Sequence, residues 1–483
     1  MPISVYNSLK RKKEEFIPQK PPKVTMYTCG VTVYDDSHIG HARSLYIFDV
    51  IRRYLEYRSF KVSFVRNITD IDDKIINRAN ELKIDWQDLI KKYIASYYDD
   101  LKALGIAKAD SEPRATDNIP DMIKFISGLI DKGYAYVTNS GVYFSVKKFK
   151  NYGRLSGQEP EQMLAGVRIE PDETKEDTLD FALWKLSKPD EPSWDSPWGK
   201  GRPGWHIECS VMSQKFLRTE TLDIHAGGRD LIFPHHENEI AQAESLTDAP
   251  FAKYWIHHGL LTINGQKMAK SLGNFVTIKD FIAKYHDANL LKLFFLSAHY
   301  SQPIDYNEEK IEEIKNGYER LLIMLNKVER IFRQISPIKK AEISKKAATE
   351  KSFEYIRSQF EEAMDDDFNM PRAFAALQEL ITRTNITITK YPQIAEKEIS
   401  LQQLYYSCYV LLPEIASIFS LDLSASAKIG EYLNEEIDAL LLKRNEARAN
   451  KDFTLADKIR KELEEKGIIL EDTKEGTTWR RRI

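Results

Sequence analysis

The sequence predicts an α/β chain in which a parallel-sheet nucleotide-binding fold is split by an insertion and followed by a helical bundle and a small C-terminal unit. Three observations predict it. A strand, helix, strand succession opens near residue 23; loop-rich sequence then intervenes and α/β patterning returns near residue 206; helical periodicity dominates beyond residue 308. The expected divisions are 1–110 and 206–305 for the two halves of the nucleotide fold, 111–205 for the insertion, 306–425 for the bundle and 426–483 for the last unit.

Val24 to Cys29 is a short strand-like run, Ala42 to Tyr57 repeats apolar residues at helical spacing, and Lys61 to Arg66 alternates as a strand does. In the insertion, Gly141 to Val146 is strand-like, whereas Gly153 to Lys200 is dense in Pro, Asp, Glu and Gly and predicts loops. Leu222 to His225, a helix over Glu237 to Leu246, and Tyr254 to His258 resume the α/β pattern. Glu308 to Ser336, Ser352 to Met364, Met370 to Tyr391 and Leu401 to Phe419 each place apolar residues three and four apart, and Asp365 to Pro371 is a start signal for the third. Past a loop around 421–430, Tyr432 to Ala449 and Leu455 to Lys466 read as helices and Gly467 to Leu470 as a strand.

The 483 residues exceed what one core accommodates, and 42% hydrophobic with 30% charged residues describe an ordinary globular chain. Three cysteines argue against a disulfide framework and for a reducing, cytoplasmic setting. The N-terminus has no apolar signal core, and no run of 18 apolar residues occurs, so no membrane association is expected. The net charge of −3 hides a basic end, Trp479-Arg-Arg-Arg-Ile483, with Lys443, Arg444, Arg448, Lys451, Lys458, Arg460 and Lys461 before it. Such residues meet phosphate or form a solvated helix face. Neither a Walker A sequence nor the Gly-x-Gly-x-x-Gly fingerprint is present.

Five segments carry candidate chemistry. Cys29 lies in Tyr27-Thr-Cys-Gly-Val-Thr-Val-Tyr34, Cys209 closes Gly204-Trp-His-Ile-Glu-Cys209, and His235-His-Glu-Asn-Glu239 follows. Two thiolates, an imidazole and a carboxylate make a zinc donor set, and a helix puts residues four apart, such as His235 and Glu239, on one face. His236, three from Glu239, fits the spacing as well. Taken singly, these residues also suit a core, with the cysteines as small hydrophobes. His38-Ile-Gly-His41 falls at a strand-to-helix turn, where helix amides favour phosphate, although two histidines there can also be simple caps. Lys267-Met-Ala-Lys-Ser271 lies between Gly265 and Gly273 and reads as a mobile loop with two cations, or as two solvated lysines.

Together, His38-Ile-Gly-His41 and Lys267-Met-Ala-Lys-Ser271 resemble the paired motifs of class I aminoacyl-tRNA synthetases. The cysteines with His235-His-Glu-Asn-Glu239 resemble the cysteinyl-tRNA synthetase family among them, from Val5 to Phe16 near the start to Leu470-Glu-Asp-Thr473 near the end. The resemblance implies a Rossmann-like catalytic domain with a connective insertion, a helical bundle and a C-terminal anticodon-binding domain. It implies a ligase that activates L-cysteine with Mg-ATP and passes it to tRNA(Cys). It further implies a monomer with one Zn2+ on Cys29, Cys209, His235 and Glu239, and His38, His41, Lys267 and Lys270 as catalytic residues. Gly40, Asp230 and Lys270 would meet ATP, and Thr69 and Trp205 would line the cysteine pocket. Ala269 replaces the serine common in the lysine motif and spares both lysines.

Zinc suits such a substrate, because a thiol with a free pKa near ~8.5 becomes a thiolate ligand and serine cannot. A site built on one specific polar interaction rejects the analogue lacking it by about 10⁴ to 10⁵, without a separate editing domain. Thr69, Trp205 and Asp230 have structural alternatives as a strand or cap residue, a core aromatic and a turn residue. Two rival functions stand beside the ligase: an enzyme joining cysteine to an amino sugar, which would lack the C-terminal units, and a non-catalytic zinc- and RNA-binding relative, which would not need His38, His41, Lys267 and Lys270.

Overall fold

The computed structural model describes residues 2–158, 174–189, 191–268, 273–347, 350–390, 398–423, 434–465, 468–473 and 476–481. The chain divides into two compact units, one of residues 1–314, 357–376 and 417–421, the other of 315–356, 377–416 and 422–483.

The first unit opens with an antiparallel hairpin, β1 (Ser4–Asn7) and β2 (Lys12–Glu15). Its centre is a parallel sheet of β3 (Lys23–Thr32) and β4 (Lys61–Thr69) with two strands from beyond the insertion, β9 (Leu222–Gly228) and β10 (Ala252–His258), in the order β10-β9-β3-β4. Every residue of β9 is buried, as in a parallel sheet covered on both faces. The strand order reverses between β3 and β9, and ligands of such sheets bind at the carboxyl ends of the strands flanking that point. The helix Ile39–Tyr57 crosses from β3 to β4, and the helix Glu237–Thr247 crosses from β9 to β10. Segment 111–115 extends the sheet at β4, with the Arg66 and Ile68 amides donating to the Ser111 and Pro113 carbonyls.

Between β4 and β9 stands an antiparallel sheet, β5 (Ala135–Val137), β6 (Gly141–Phe144), β7 (Phe181–Leu186) and β8 (Gly201–Pro203). Its Val142, Phe144, Leu183 and Trp184 pack with Met122, Ile126 and Leu129 of the helix Ile119–Asp131 in one core. The expected loop over 153–200 is corrected here: Phe181-Ala-Leu-Trp-Lys-Leu186 is a strand, whose buried Phe, Leu and Trp were masked in the sequence by the polar composition around them. Farther on come β11 (Leu261–Ile263), β12 (Gln266–Lys267) and β13 (Ile304–Tyr306).

The second unit is mainly helical. Pro337–Ala347 is a helix the periodicity did not single out. The helix expected over 401–419 is present as a continuous run, Glu398–Tyr405, a wider helical turn at Tyr406–Leu411, and Leu412–Ile418. Phe332 meets Tyr405 and Tyr409 edge-on there. The helices Asn434–Ala449 and Phe453–Glu465 precede a hairpin of β14 (Ile468–Thr473) and β15 (Gly476–Arg481), so Trp479, Arg480 and Arg481 lie in a strand in register with β14. Among the described residues, no helix is long and apolar enough to cross a membrane.

Candidate functional site

Cys29 sits near the carboxyl end of β3, where the register with β4 shifts between Thr28 and Val31. A bulge re-aims the side chain it carries. The bulge needs glycine next to Cys29, because a Cβ on Gly30 would lie 1.6 Å from the Asn67 carbonyl oxygen, and the Gly30 amide donates to Asn67 Oδ1 at 2.8 Å. Cys209 comes from the helix Trp205–Leu217, which starts right after β8. His235 and His236 lie in a widened turn, Ile232–His236, entered through an extended Phe233, and Glu239 lies in the helix that follows.

These elements converge on one buried cluster in which donor atoms of Cys29, Cys209, His235 and Glu239 all lie within 4.8 Å of one another. Glu239 Oε1 is 2.9 Å from His235 Nε2 and 3.5 Å from Cys29 Sγ, and Cys209 Sγ is 3.6 Å from His235 Nε2. Tetrahedral zinc with bonds of ~2.0–2.3 Å spaces its ligand atoms roughly 3.3–3.8 Å apart; the two sulfur distances fall in that range, and the His235–Glu239 contact is a hydrogen bond that would open slightly to admit the ion. A second grouping, Cys29, His225, His236 and Glu239, overlaps the first. Both histidine alternatives left open by spacing therefore face the cluster.

The surrounding hydrogen bonds orient the donors. His225 Nε2 meets Glu239 Oε2 at 2.6 Å, His206 Nδ1 meets His235 Nδ1 at 2.8 Å, and His236 Nδ1 meets His257 Nε2 at 2.8 Å. Partners on the far ring nitrogen fix the tautomer of a ligating histidine. Burial opposes ionisation of Glu239, yet His225 and His235 hold its carboxyl well below the usual range. Burial would lower His235, but Glu239 and Cys209 carry it up to about 10. Burial, and then Cys209 and Glu239, push the Cys29 thiol well up, while bonds from Cys29 and His235 overcome burial and bring Cys209 down to about 6. Three acidic groups packed this closely are relieved by a divalent cation.

Trp205 stacks on His235 with ring centres 4.0 Å apart while remaining 38% exposed, so it walls the cluster at its open side. Thr69 ends β4, fully buried, and its hydroxyl donates to Glu208 Oε2 at 2.7 Å. Glu208, Asn67, His206, His225 and His257 are members of this neighbourhood that the sequence reading missed. For Glu208, His206 and Asn67 the one available signal was proximity in sequence to Cys209 and Thr69; His225 and His257 carried none.

His38 is the N-cap of the helix Ile39–Tyr57, and the two imidazoles form a reciprocal cap. The His41 amide donates to His38 Nδ1 at 3.2 Å, the His38 amide to His41 Nδ1 at 3.4 Å, and the rings stack at 3.6 Å. With both Nδ1 atoms accepting, the proton of each neutral ring belongs on Nε2, which leaves two N–H donors at a helix N-terminus. Burial, then the charges of His38 and Lys74, hold His41 well below the imidazole range and keep it neutral. A Cβ on Gly40 would lie 2.9 Å from the His38 ring and 3.3 Å from Met268 Cε, so the glycine makes room for that ring.

The lysine segment returns to the same turn. Lys267 is exposed at the end of β12, beyond a left-handed Gly265 with φ 75°. Lys270 lies outside the described residues. On the far side, the Ile39 amide donates to the Val276 carbonyl and the Ile278 amide to the Ser37 carbonyl. Asp230 is exposed in a turn after β9, and its Oδ1 occupies the space a Cβ on Gly228 would fill.

Comparison with known proteins matches residues 15–316 to the class I (C) tRNA synthetase catalytic domain, 359–421 to the DALR domain, and 431–480 to the cysteinyl-tRNA ligase anticodon-binding domain. A cysteine--tRNA ligase of Aquifex aeolicus is 48% identical over 100% of this chain and 99% of its own. One from Geobacillus thermodenitrificans is 49% identical over 99% of each. The fold is shared with the methionyl-tRNA synthetase of Mycobacterium tuberculosis solved with methionyl-adenylate, at a TM-score of 0.63 and 15% identity over 84% of this chain and 93% of that one.

Proposed function

This chain belongs to the cysteinyl-tRNA synthetases of class I, and from that premise we propose how its residues divide the work of joining cysteine to tRNA(Cys) at the expense of ATP. The observation that carries the reading is the convergence of Cys29, Cys209, His235 and Glu239 on one buried point beside the strand-order reversal. Those four are the proposed Zn2+ ligands, in preference to the overlapping set, because two thiolates favour zinc over harder ions. Bound there, zinc supplies a coordination position that accepts the substrate thiolate and refuses a serine hydroxyl. His225, His206 and His236 then serve to hold the ligands in place.

Trp205 and Thr69 bound the space for the cysteine side chain. Activation is attack by the cysteine carboxylate on the α-phosphorus of Mg-ATP: one carboxylate O–P bond forms, the bridging P–O bond to the β-phosphate breaks, and pyrophosphate leaves. The carboxylate arrives ionised, so no base is required. The Nε2–H donors of His38 and His41 are placed to take phosphate oxygens, with Lys267 and Lys270 neutralising the charge that develops. Gly40 and Asp230 complete the ATP site. The terminal ribose of tRNA then takes the cysteinyl group and AMP is released. The matched anticodon-binding segment favours tRNA over an amino sugar as acceptor. Three free thiols fit a cytoplasmic setting, and we take the working unit to be a monomer.

The test is exchange of labelled pyrophosphate into ATP with cysteine or serine, on zinc-loaded protein and on Cys209→Ser. Cysteine-dependent exchange, absent with serine and lost together with zinc in the variant, is the expected result. Zinc-loaded protein that exchanges with neither amino acid would overturn the reading.

A further inference from the structure

A groove of about 840 Å3 opens on the first unit away from the cysteine and histidine clusters, between the start of the helix Trp86–Leu104, the sheet-edge segment at Arg114 and a loop of the insertion at Trp194. That volume lies within the ~300–1,000 Å3 of small-ligand sites. Its walls alternate aromatic rings with cations. Trp86 and Trp194, from separate elements, meet edge-to-face with ring centres 6.3 Å apart, and Tyr98 stands on the same wall with Lys108 4.0 Å over its ring. Lys91 and Arg114 are exposed and, among the described residues, enter no side-chain hydrogen bond or ion pair. Asp70, the acidic residue of the lining, is committed: Thr116 donates to it through its amide at 2.9 Å and its hydroxyl at 2.6 Å.

Indole faces with unpaired cations at their margin are the chemistry that takes a base by stacking and its phosphate by charge. A paired base has both faces covered by its neighbours, so the groove selects an unpaired one. Asp70 directly follows Thr69, whose hydroxyl bonds Glu208, so the groove shares the carboxyl end of β4 with the proposed cysteine pocket. We propose that this groove binds an unpaired nucleotide of the RNA substrate, with the base against Trp86 and Trp194 and its phosphate on Arg114 and Lys91. The inference rests on the tRNA-ligase reading for the identity of the RNA.

The experiment compares Trp194→Ala, Trp194→Phe and Arg114→Gln with the unaltered enzyme in tRNA charging and in cysteine-dependent pyrophosphate exchange, which needs no tRNA. Trp194→Ala should raise the KM for tRNA about tenfold while exchange stays unchanged, and Trp194→Phe should restore most of the loss. Arg114→Gln should flatten the slope of log KM against log salt by about 0.7, the share of one single-strand phosphate. Unchanged KM and salt slope, or an exchange rate that falls in parallel with charging in every variant, overturns the groove as an RNA site. If the unaltered enzyme charges no tRNA, the ligase reading fails separately. The groove is then judged by tryptophan fluorescence on adding tRNA: quenching that Trp194→Ala abolishes supports it, and absence of quenching overturns it.

Discussion

A histidine used as a helix cap commits one ring nitrogen and presents the other, and this is how His38 and His41 become paired donors. The arrangement depends on Gly40, since a methyl group there would meet the His38 ring at 2.9 Å. Gly40→Ala should therefore leave the helix folded but displace the ring, and exchange should fall by about 10²-fold, the cost of losing one donor to developing charge. The motif was legible in sequence; the role of its glycine was not, because the neighbour that fills its space is a side chain whose rotamer spacing does not encode. Asp100 was invisible for the same reason. Burial, against the pull of Lys279 and helped by the Asp36 and Asp99 charges, carries its carboxyl up to about 7, and among the described residues its Oδ2 is buried without a hydrogen-bond partner. In the unfolded chain it ionises near ~3.9, so rising pH favours unfolding until the folded carboxyl ionises too. Stability is lost between about pH 4 and 7. Asp100→Asn should raise Tm relative to the parent at pH 8, and the gain should fade towards pH 4; a gain that is equal at both pH values would rule out this ionisation as its cause.

At the scale of elements, Arg43 ties the helix that carries the histidines to the end of β10. Its guanidinium is fully buried and donates to the carbonyls of Gly259, Leu260, Tyr300 and Gln302, and among the described residues no carboxylate is a partner. Burial alone lowers its pKa to about 10, so it stays charged. A planar fork reaching carbonyls on two segments has no equivalent in lysine. Arg43→Lys should lower unfolding stability by about 2–4 kcal/mol, read from denaturant midpoints, because buried carbonyls lose donors. Arg43 sits beside a recognisable motif, yet nothing in the sequence marks its partners, which lie more than 200 positions away. The same distinction separates elements that were legible from those that were not. The helix Ile39–Tyr57 and the strands β3 and β4 carry their period locally. β7 lies in polar sequence and is defined by pairing with β6 and β8, and β15 by pairing with β14. The donor set of the candidate metal site was readable from residue types in context, whereas His225, which bonds Glu239, reaches it only through the sheet order.

Across the whole molecule, activation and RNA selection draw on different stretches of chain, and this separation can be measured. Every buried member of the last hydrophobic cluster, Leu441, Ile459, Leu463, Ile468 and Leu470, comes from the segment that matches the anticodon-binding domain, so that segment closes its own core. The residues assigned to cysteine and ATP all precede residue 272. β15 places the backbone of Trp479 and Arg480 opposite Leu470 and Ile469, so these two residues are carried by a paired strand. A chain ending at Leu421 should therefore keep cysteine-dependent pyrophosphate exchange within about twofold while its kcat/KM for charging tRNA falls by about 10²-fold or more, the worth of two stacked bases at ~1–3 kcal/mol each. Raising the tRNA concentration should recover much of the rate, since the lost interactions are made outside the reacting centre and act on binding. If exchange collapsed along with charging, the C-terminal segment would be supporting the catalytic core, and the division of labour inferred from its separate hydrophobic cluster would be wrong.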